Sequence, residues 1–241
     1  AGEIEILTAE LEKHFNVTFS PAAFQESTGL YEKMRKLTAE LESLTIRNNI
    51  SYASFTSTVH RTGFMRAGEA VAVLEEAVDS LSPAVAENRS DCPRRVLLSG
   101  IMPPHPGVIE IIENAGMKIV GNDIASLHRA AAYSPRPTGD PVEFYSDMYT
   151  HHFPCPTLLY TAGERLDRLS ALAGQRGADA LVFLGEKFCE YEYFEFPFLQ
   201  KHFEKEGLPS LALEFSIDDT DPAASFATRI QAFSEMLSRE E

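Results

Sequence analysis

Cys155 and Cys189 are the residues of this chain whose type and setting point most directly to chemistry. Cys155 stands in Phe-Pro-Cys-Pro, where prolines on both sides pin the backbone and exclude regular structure. Cys189 closes the stretch 179–189, Asp-Ala-Leu-Val-Phe-Leu-Gly-Glu-Lys-Phe-Cys. Thiolates presented rigidly suit a soft metal centre. Two buried cysteines acting as small hydrophobes account for the spacing equally well. A zinc site would add His151 or His152, just before Cys155. No two cysteines form a C-x-x-C pair, so zinc-ribbon and thioredoxin motifs are absent.

The elements around these residues read as follows. The run 180–184 is continuously apolar, as expected of a strand buried on both faces, and Gly185 is expected to end it with a turn. A cysteine just past the C-terminal end of a central parallel strand lies on the rim where open α/β sheets bind ligands. Strands are expected at 96–98, 118–120, 180–184 and 211–215. Helices are expected at 108–114, 158–173 and 223–237, with an aromatic-rich helix after the third strand. The stretch 133–156 reads as irregular. Alternating strands and helices imply a parallel sheet with right-handed crossovers, and the order 2-1-3-4 is expected. Residues 100–107 and 185–189 would then face each other at the switch point. Cys92 precedes the first strand, whereas Cys189 follows the third. A strand of about five residues separates those edges by roughly 17 Å, too far for a shared metal, so Cys92 is not expected to be a ligand.

Residues 1–90 read as helical. Ile4, Leu7, Leu11 and Phe15 recur at helical spacing, Ser20-Pro21 marks a second start, and Val71, Leu74, Val78 and Leu81 mark a later amphipathic helix. Nothing there has catalytic spacing. The polar, proline-containing segment 82–94 is the expected boundary between a helical arm, 1–90, and an α/β domain, 91–241.

Composition narrows the partners. The 241 residues carry a formal charge of −15, with 21 Lys and Arg against 36 Asp and Glu. Such a surface repels nucleic acid and anionic membrane. No apolar run approaches the roughly 18 residues of a membrane span, and no signal peptide is expected. Three cysteines without secretory context point to a reducing cytoplasm. No dinucleotide fingerprint, phosphate-binding loop, nucleophile elbow or H-E-x-x-H is present.

Other residues are weaker candidates. Lys187 and Arg129 follow strand ends and would suit an anionic ligand or balance the charge of a metal centre, although solvated cations are commoner. His105 lies in the loop after strand one, facing the expected crevice. Phe188, Tyr191, Phe194 and Phe198 have helical spacing and are expected in the core. Asp218, Asp219 and Asp221 read as a solvated turn before a helix starting at Pro222.

Four segments in order carry a resemblance: Arg95-Val96-Leu97-Leu98-Ser99-Gly100, Pro154-Cys155-Pro156, Glu186-Lys187-Phe188-Cys189 and Thr228-Arg229-Ile230-Gln231-Ala232-Phe233. Together with Leu30-Tyr31-Glu32 they resemble the 2-hydroxyacyl-CoA dehydratase / benzoyl-CoA reductase family over essentially the whole chain. The resemblance implies a helical N-terminal arm followed by a flavodoxin-like, doubly wound, four-stranded parallel sheet. It implies a 4Fe–4S cluster, with Cys155 and Cys189 matching two of its three cysteine ligands. The third lies in an N-terminal domain of the family that this sequence does not include, so the chain resembles a C-terminal portion and alone is expected to be inactive. The family's small-residue, Ser, Arg run after strand two reads Ser126-Leu127-His128-Arg129 here, keeping only the arginine. The implied chemistry is radical dehydration or reduction of an acyl-CoA in an anaerobic cytoplasm. Implied partners are an acyl-CoA substrate, a homologous second subunit forming a dimer and an ATP-dependent activator protein. The rival expectation is a non-catalytic electron-transfer or scaffold subunit.

Overall fold

The computed structural model describes residues 2–82, 94–155, 162–216 and 222–238. Its first part is helical: α1 (Gly2–Phe15), α2 (Pro21–Arg47), α3 (Tyr52–Thr62) and α4 (Ala67–Leu81). Ser20 caps α2, its hydroxyl accepting from the Ala23 N–H at 3.3 Å, with Pro21 in the first turn where a missing N–H costs nothing. That helix ends at Asn48-Asn49, where Asn49 takes a left-handed backbone (φ 54°).

Four parallel strands follow: β1 (Arg95–Gly100), β2 (Lys118–Ile124), β3 (Ala180–Glu186) and β4 (Ser210–Phe215). Their order is β2-β1-β3-β4, as the strand–helix alternation predicts. The helices between and after them are α5 (Pro106–Asn114), α6 (Pro141–His151), α7 (Ala162–Arg176), α8 (Glu190–Lys205) and α9 (Pro222–Leu237). Side chains alternate along each strand and so feed two cores. Val96, Leu98, Val182 and Leu184 meet Ile109 and Ile112 of α5 and Ile230 and Phe233 of α9. Leu97, Leu181 and Phe183 meet Leu169 and Leu172 of α7 and Leu199 and Phe203 of α8. The first core also takes in Leu41, Leu44, Tyr52, Phe55, Leu74 and Val78 from α2–α4. At roughly 1.5–3 kcal/mol per fully buried large apolar side chain, these six hold the helices on the sheet.

A buried polar junction reinforces that attachment. Tyr52 donates its hydroxyl to Glu42 at 2.5 Å, and Asn122 of β2 donates to both, at 2.7 Å each. Arg176, from the end of α7, reaches Glu42 at 2.7 Å. It passes over Gly121, where an added Cβ would lie 3.2 Å from the Arg176 Nε. Burial, reinforced by the Glu42 charge, raises the Tyr52 hydroxyl well above its ordinary range.

Several elements depart from the sequence reading. Strand β3 does not stop at Gly185; Gly185 and Glu186 pair with Glu214 and Phe215, and the chain turns only afterwards. Strand β2 continues four residues beyond Val120, carrying Asn122 and Asp123 into the interior. Helix α6 occupies the middle of a stretch that reads as irregular; Asp140 caps it by accepting from the Val142 and Glu143 N–H groups at 2.8 and 3.2 Å. The aromatic residues of α8 and its approach are not core: Phe188, Tyr191, Phe194 and Phe198 are 90, 57, 83 and 49% exposed. The opposite side of α8, with Phe196, Leu199 and Phe203, is the buried one, and Pro197 lies inside the helix. Residues 83–93, which include Cys92 and most of the expected boundary, lie outside the described residues, as do 158–161 and Asp218, Asp219 and Asp221.

Candidate functional site

The C-terminal ends of β1, β2 and β3 meet at Gly100, Ile124 and Leu184, which lie side by side in the sheet register. One residue earlier, Ser99 of β1 stands opposite Asp123 of β2 and donates its hydroxyl to the carboxylate at 2.9 Å. Asp123 is fully buried. Two arginines enclose it: Arg165 of α7 forms an ion pair with one oxygen, and the Arg129 Nε lies 3.8 Å from the other. Arg165 also reaches Glu195 of α8 at 3.2 Å. An arginine fork reads a carboxylate in a fixed geometry, so this cluster ties α7, α8 and β2 together at the strand ends.

Arg129 ends a π-helical turn, Ala125–Arg129, that follows β2 directly. The turn carries its guanidinium inward, where it is 7% exposed. One terminal nitrogen donates to the Gly100 carbonyl and the other to the Cys155 sulfur at 3.2 Å. Cys155 is itself buried, on the chain leaving α6. Alongside, His128 packs edge-on against Phe153, with ring centroids 5.5 Å apart. Burial pushes the His128 imidazole below its ordinary range, which favours the neutral form.

Cys189 is reached by a tight turn after β3. The Lys187 N–H donates to the Phe215 carbonyl at 2.8 Å, and the Cys189 N–H donates to the Glu186 carbonyl at 3.0 Å. Between them Phe188 has a left-handed backbone, φ 68°, a conformation uncommon for a bulky side chain. Cys189 is the N-cap of α8 and is partly exposed. Its sulfur therefore stands at a helix end where partial positive charge gathers. Among the described residues neither sulfur forms a disulfide, and both stand near the carboxyl ends of β1 and β3. Glu192, in the first turn of α8, is buried and accepts from the Glu186 N–H at 2.8 Å. Burial raises its carboxyl above the ordinary range, opposed by the N–H groups of Glu186 and Ile101.

On the same edge lies a cavity of about 290 Å³, lined by Thr56 and His60 of α3, the loop 102–106, Glu186 and Phe215. The loop after β1 and the end of β3 thus meet at one cavity. His105 lines it and also caps α5, accepting from the Gly107 N–H at 3.2 Å. Lys187 follows Glu186 and is partly exposed. His151 and His152 face their own helix end, at 3.1 Å from the Asp147 carbonyl and 2.5 Å from the Tyr149 carbonyl.

The donor set bears on which group this rim suits. Two thiols, one of them held against a buried guanidinium, match an iron–sulfur centre in ligand softness and charge. Among the described residues no three His, Cys, Asp or Glu side chains are grouped to hold a metal ion by themselves. Asp123, Arg165, Glu195 and Glu192 escape the sequence reading. The one available signal is the Asn122-Asp123 pair directly after an apolar strand, where a buried carboxylate requires cationic partners.

Comparison with known proteins adds to this geometry. The sequence model of the family described as "2-hydroxyglutaryl-CoA dehydratase, D-component" matches residues 1–237. The chain is 24% identical to the (R)-phenyllactyl-CoA dehydratase beta subunit of Clostridium sporogenes, across 95% of the chain and 60% of that protein. It is 24% identical to the lactoyl-CoA dehydratase beta subunit of Anaerotignum propionicum, across 98% of the chain and 63% of the relative. To a benzoyl-CoA reductase subunit of Thauera aromatica it is 25% identical, across 97% of the chain and 63% of the relative. The chain thus spans about three fifths of the length of these relatives. No helix among the described residues is long and apolar enough to cross a membrane. With the family match running from the first helix to the end of α9, the chain belongs to the 2-hydroxyglutaryl-CoA dehydratase D-component family.

Proposed function

We propose that this chain is the cluster-binding part of a 2-hydroxyacyl-CoA dehydratase or benzoyl-CoA reductase-type subunit, with Cys155 and Cys189 as two thiolate ligands of a 4Fe–4S cluster. The observation that carries the reading is Cys155 buried against Arg129 on the sheet rim that also presents Cys189. When bound, such a cluster supplies one-electron chemistry at an acyl-CoA thioester and an open iron position for substrate oxygen. The remaining ligands come from outside the described residues. An ATP-dependent activator protein delivers the electron, and the complex is completed by a second, homologous subunit.

The chain's own residues contribute binding and exclusion of water. The cavity beside Glu186 offers Met102, three prolines and Phe215 to the acyl group, with His60 and His105 among its polar lining residues. Lys187, at the outer end of the same strand, meets the anionic part of the coenzyme. The buried cluster around Asp123 keeps α7 and α8 fixed behind the sulfurs, so the rim stays rigid during electron arrival.

The test is iron and acid-labile sulfide per chain, measured on protein expressed at its full coding length and purified anaerobically. C155S and C189S are expected each to lose most of the iron, while C92S retains it. Unchanged iron in both rim variants overturns the proposal. Acyl-CoA turnover by the complex, against cluster reduction without turnover, separates the enzyme from an electron-transfer subunit.

A further inference from the structure

We infer that Arg129 is a positioning residue for the Cys155 sulfur, setting both its orientation and the reduction potential of the centre it ligates; the inference rests on the cluster reading above. Both terminal nitrogens of the guanidinium are committed to protein groups, while Nε lies beside a carboxylate without a hydrogen bond. One nitrogen donates to the Gly100 carbonyl at the end of β1, Nε faces Asp123 at 3.8 Å, and the remaining terminal nitrogen donates to Cys155 at 3.2 Å. Being 7% exposed, the fork has little access to a coenzyme phosphate. Gly100, which bears Arg129's acceptor, packs closely on β3, where an added Cβ would strike the Leu184 carbonyl.

The role follows from the geometry. Prolines at 154 and 156 restrict the backbone around Cys155, and the guanidinium acts on the sulfur itself. A sulfur ligand that accepts an N–H bond from a cation donates less charge to its metal, which eases reduction. The guanidinium fork donates to Gly100 and Cys155 at once and holds its charge beside Asp123. A lysine ammonium reaching the same place keeps the charge and loses the fork. The π-helical turn suits this task, since it follows β2 without a loop and places residue 129 on the inward side.

The experiment compares R129Q and R129K in protein at full coding length, purified anaerobically, by thermal unfolding, electron paramagnetic resonance and redox titration. Wild-type protein is expected to hold iron in a Cys155-dependent manner. R129Q is expected to fold, to show an altered resonance signature and to need about tenfold more reducing conditions for half-reduction, which is about 59 mV for one electron. R129K is expected to fall between the two. Folded variants with wild-type spectrum and potential overturn the inference alone. Loss of folding in both variants assigns Arg129 to the scaffold and also overturns it. Iron that is absent from wild type, or retained in C155S, overturns the cluster reading and takes this inference with it.

Discussion

Asp123 and Arg165 form an ion pair sealed from solvent, with side-chain exposures of 0% and 1%. Removing one partner of a buried pair leaves an uncompensated charge and costs about 3–5 kcal/mol. R165M is therefore expected to lower the melting temperature by roughly 10 °C, at about 2–4 °C per kcal/mol for a chain of this size. The double variant D123N/R165M should recover part of the loss, because residue 123 then no longer carries a buried charge that has lost Arg165. Urea unfolding measures both, and a single variant within about 1 kcal/mol of wild type would contradict the account.

The Tyr52 hydroxyl is the second test. It donates to Glu42 and accepts from Asn122 in a site closed to water. Y52F leaves Asn122 one bond to Glu42 and strips Glu42 of a donor, an expected loss of about 1–3 kcal/mol. Because the hydroxyl bridges α2, α3 and β2, hydrogen exchange should quicken in the helical arm as well as in β2.

Glu192 predicts a pH dependence with a definite sign. Burial raises its folded-state pKa above the ordinary 4.5, so between those values the folded chain binds more protons than the unfolded one. Its favourable contribution is present below the ordinary value and is lost as pH rises through the folded one. At neutral pH and above the buried charge is a cost. E192Q keeps a carbonyl oxygen for the Glu186 N–H and should be more stable than wild type at pH 8. The gap should narrow towards pH 4.5, and a gap independent of pH would remove the explanation.

The two sides of α8 should respond oppositely to truncation. Phe194 is 83% exposed, and F194S is expected to change stability by no more than about 0.5 kcal/mol. Phe196 is 9% exposed and packs against Phe183 with ring centroids 4.9 Å apart. F196A should cost about 3–5 kcal/mol. Comparable losses from both would show that the helix is turned differently.

Much of this architecture is legible in the sequence. Strand order follows from alternating short apolar runs and helical periods, because a parallel sheet needs crossovers of one hand. The limits have physical reasons. Helix α8 is apolar on both sides, so periodicity alone cannot say whether Phe194 or Phe196 is inside. Helix α6 hides among prolines and aromatics, although Asp140-Pro141 is the same start signal as Asp221-Pro222. The sequence marks Arg129 as a rim cation, but only the fold shows which groups its fork meets, since the π-helical turn that aims it inward has no local signature.

The turn after β3 sets where Cys189 stands. Backbone bonds from Lys187 to Phe215 and from Cys189 to Glu186 fix that address, with no side chain taking part in either. Exchanging the side chain at 188 for glycine would relax the left-handed residue and leave the thiol in place. Adding or deleting one residue there would break both bonds and rotate the beginning of α8. The spacing between strand and cysteine is therefore the quantity under constraint, more than the letters that fill it.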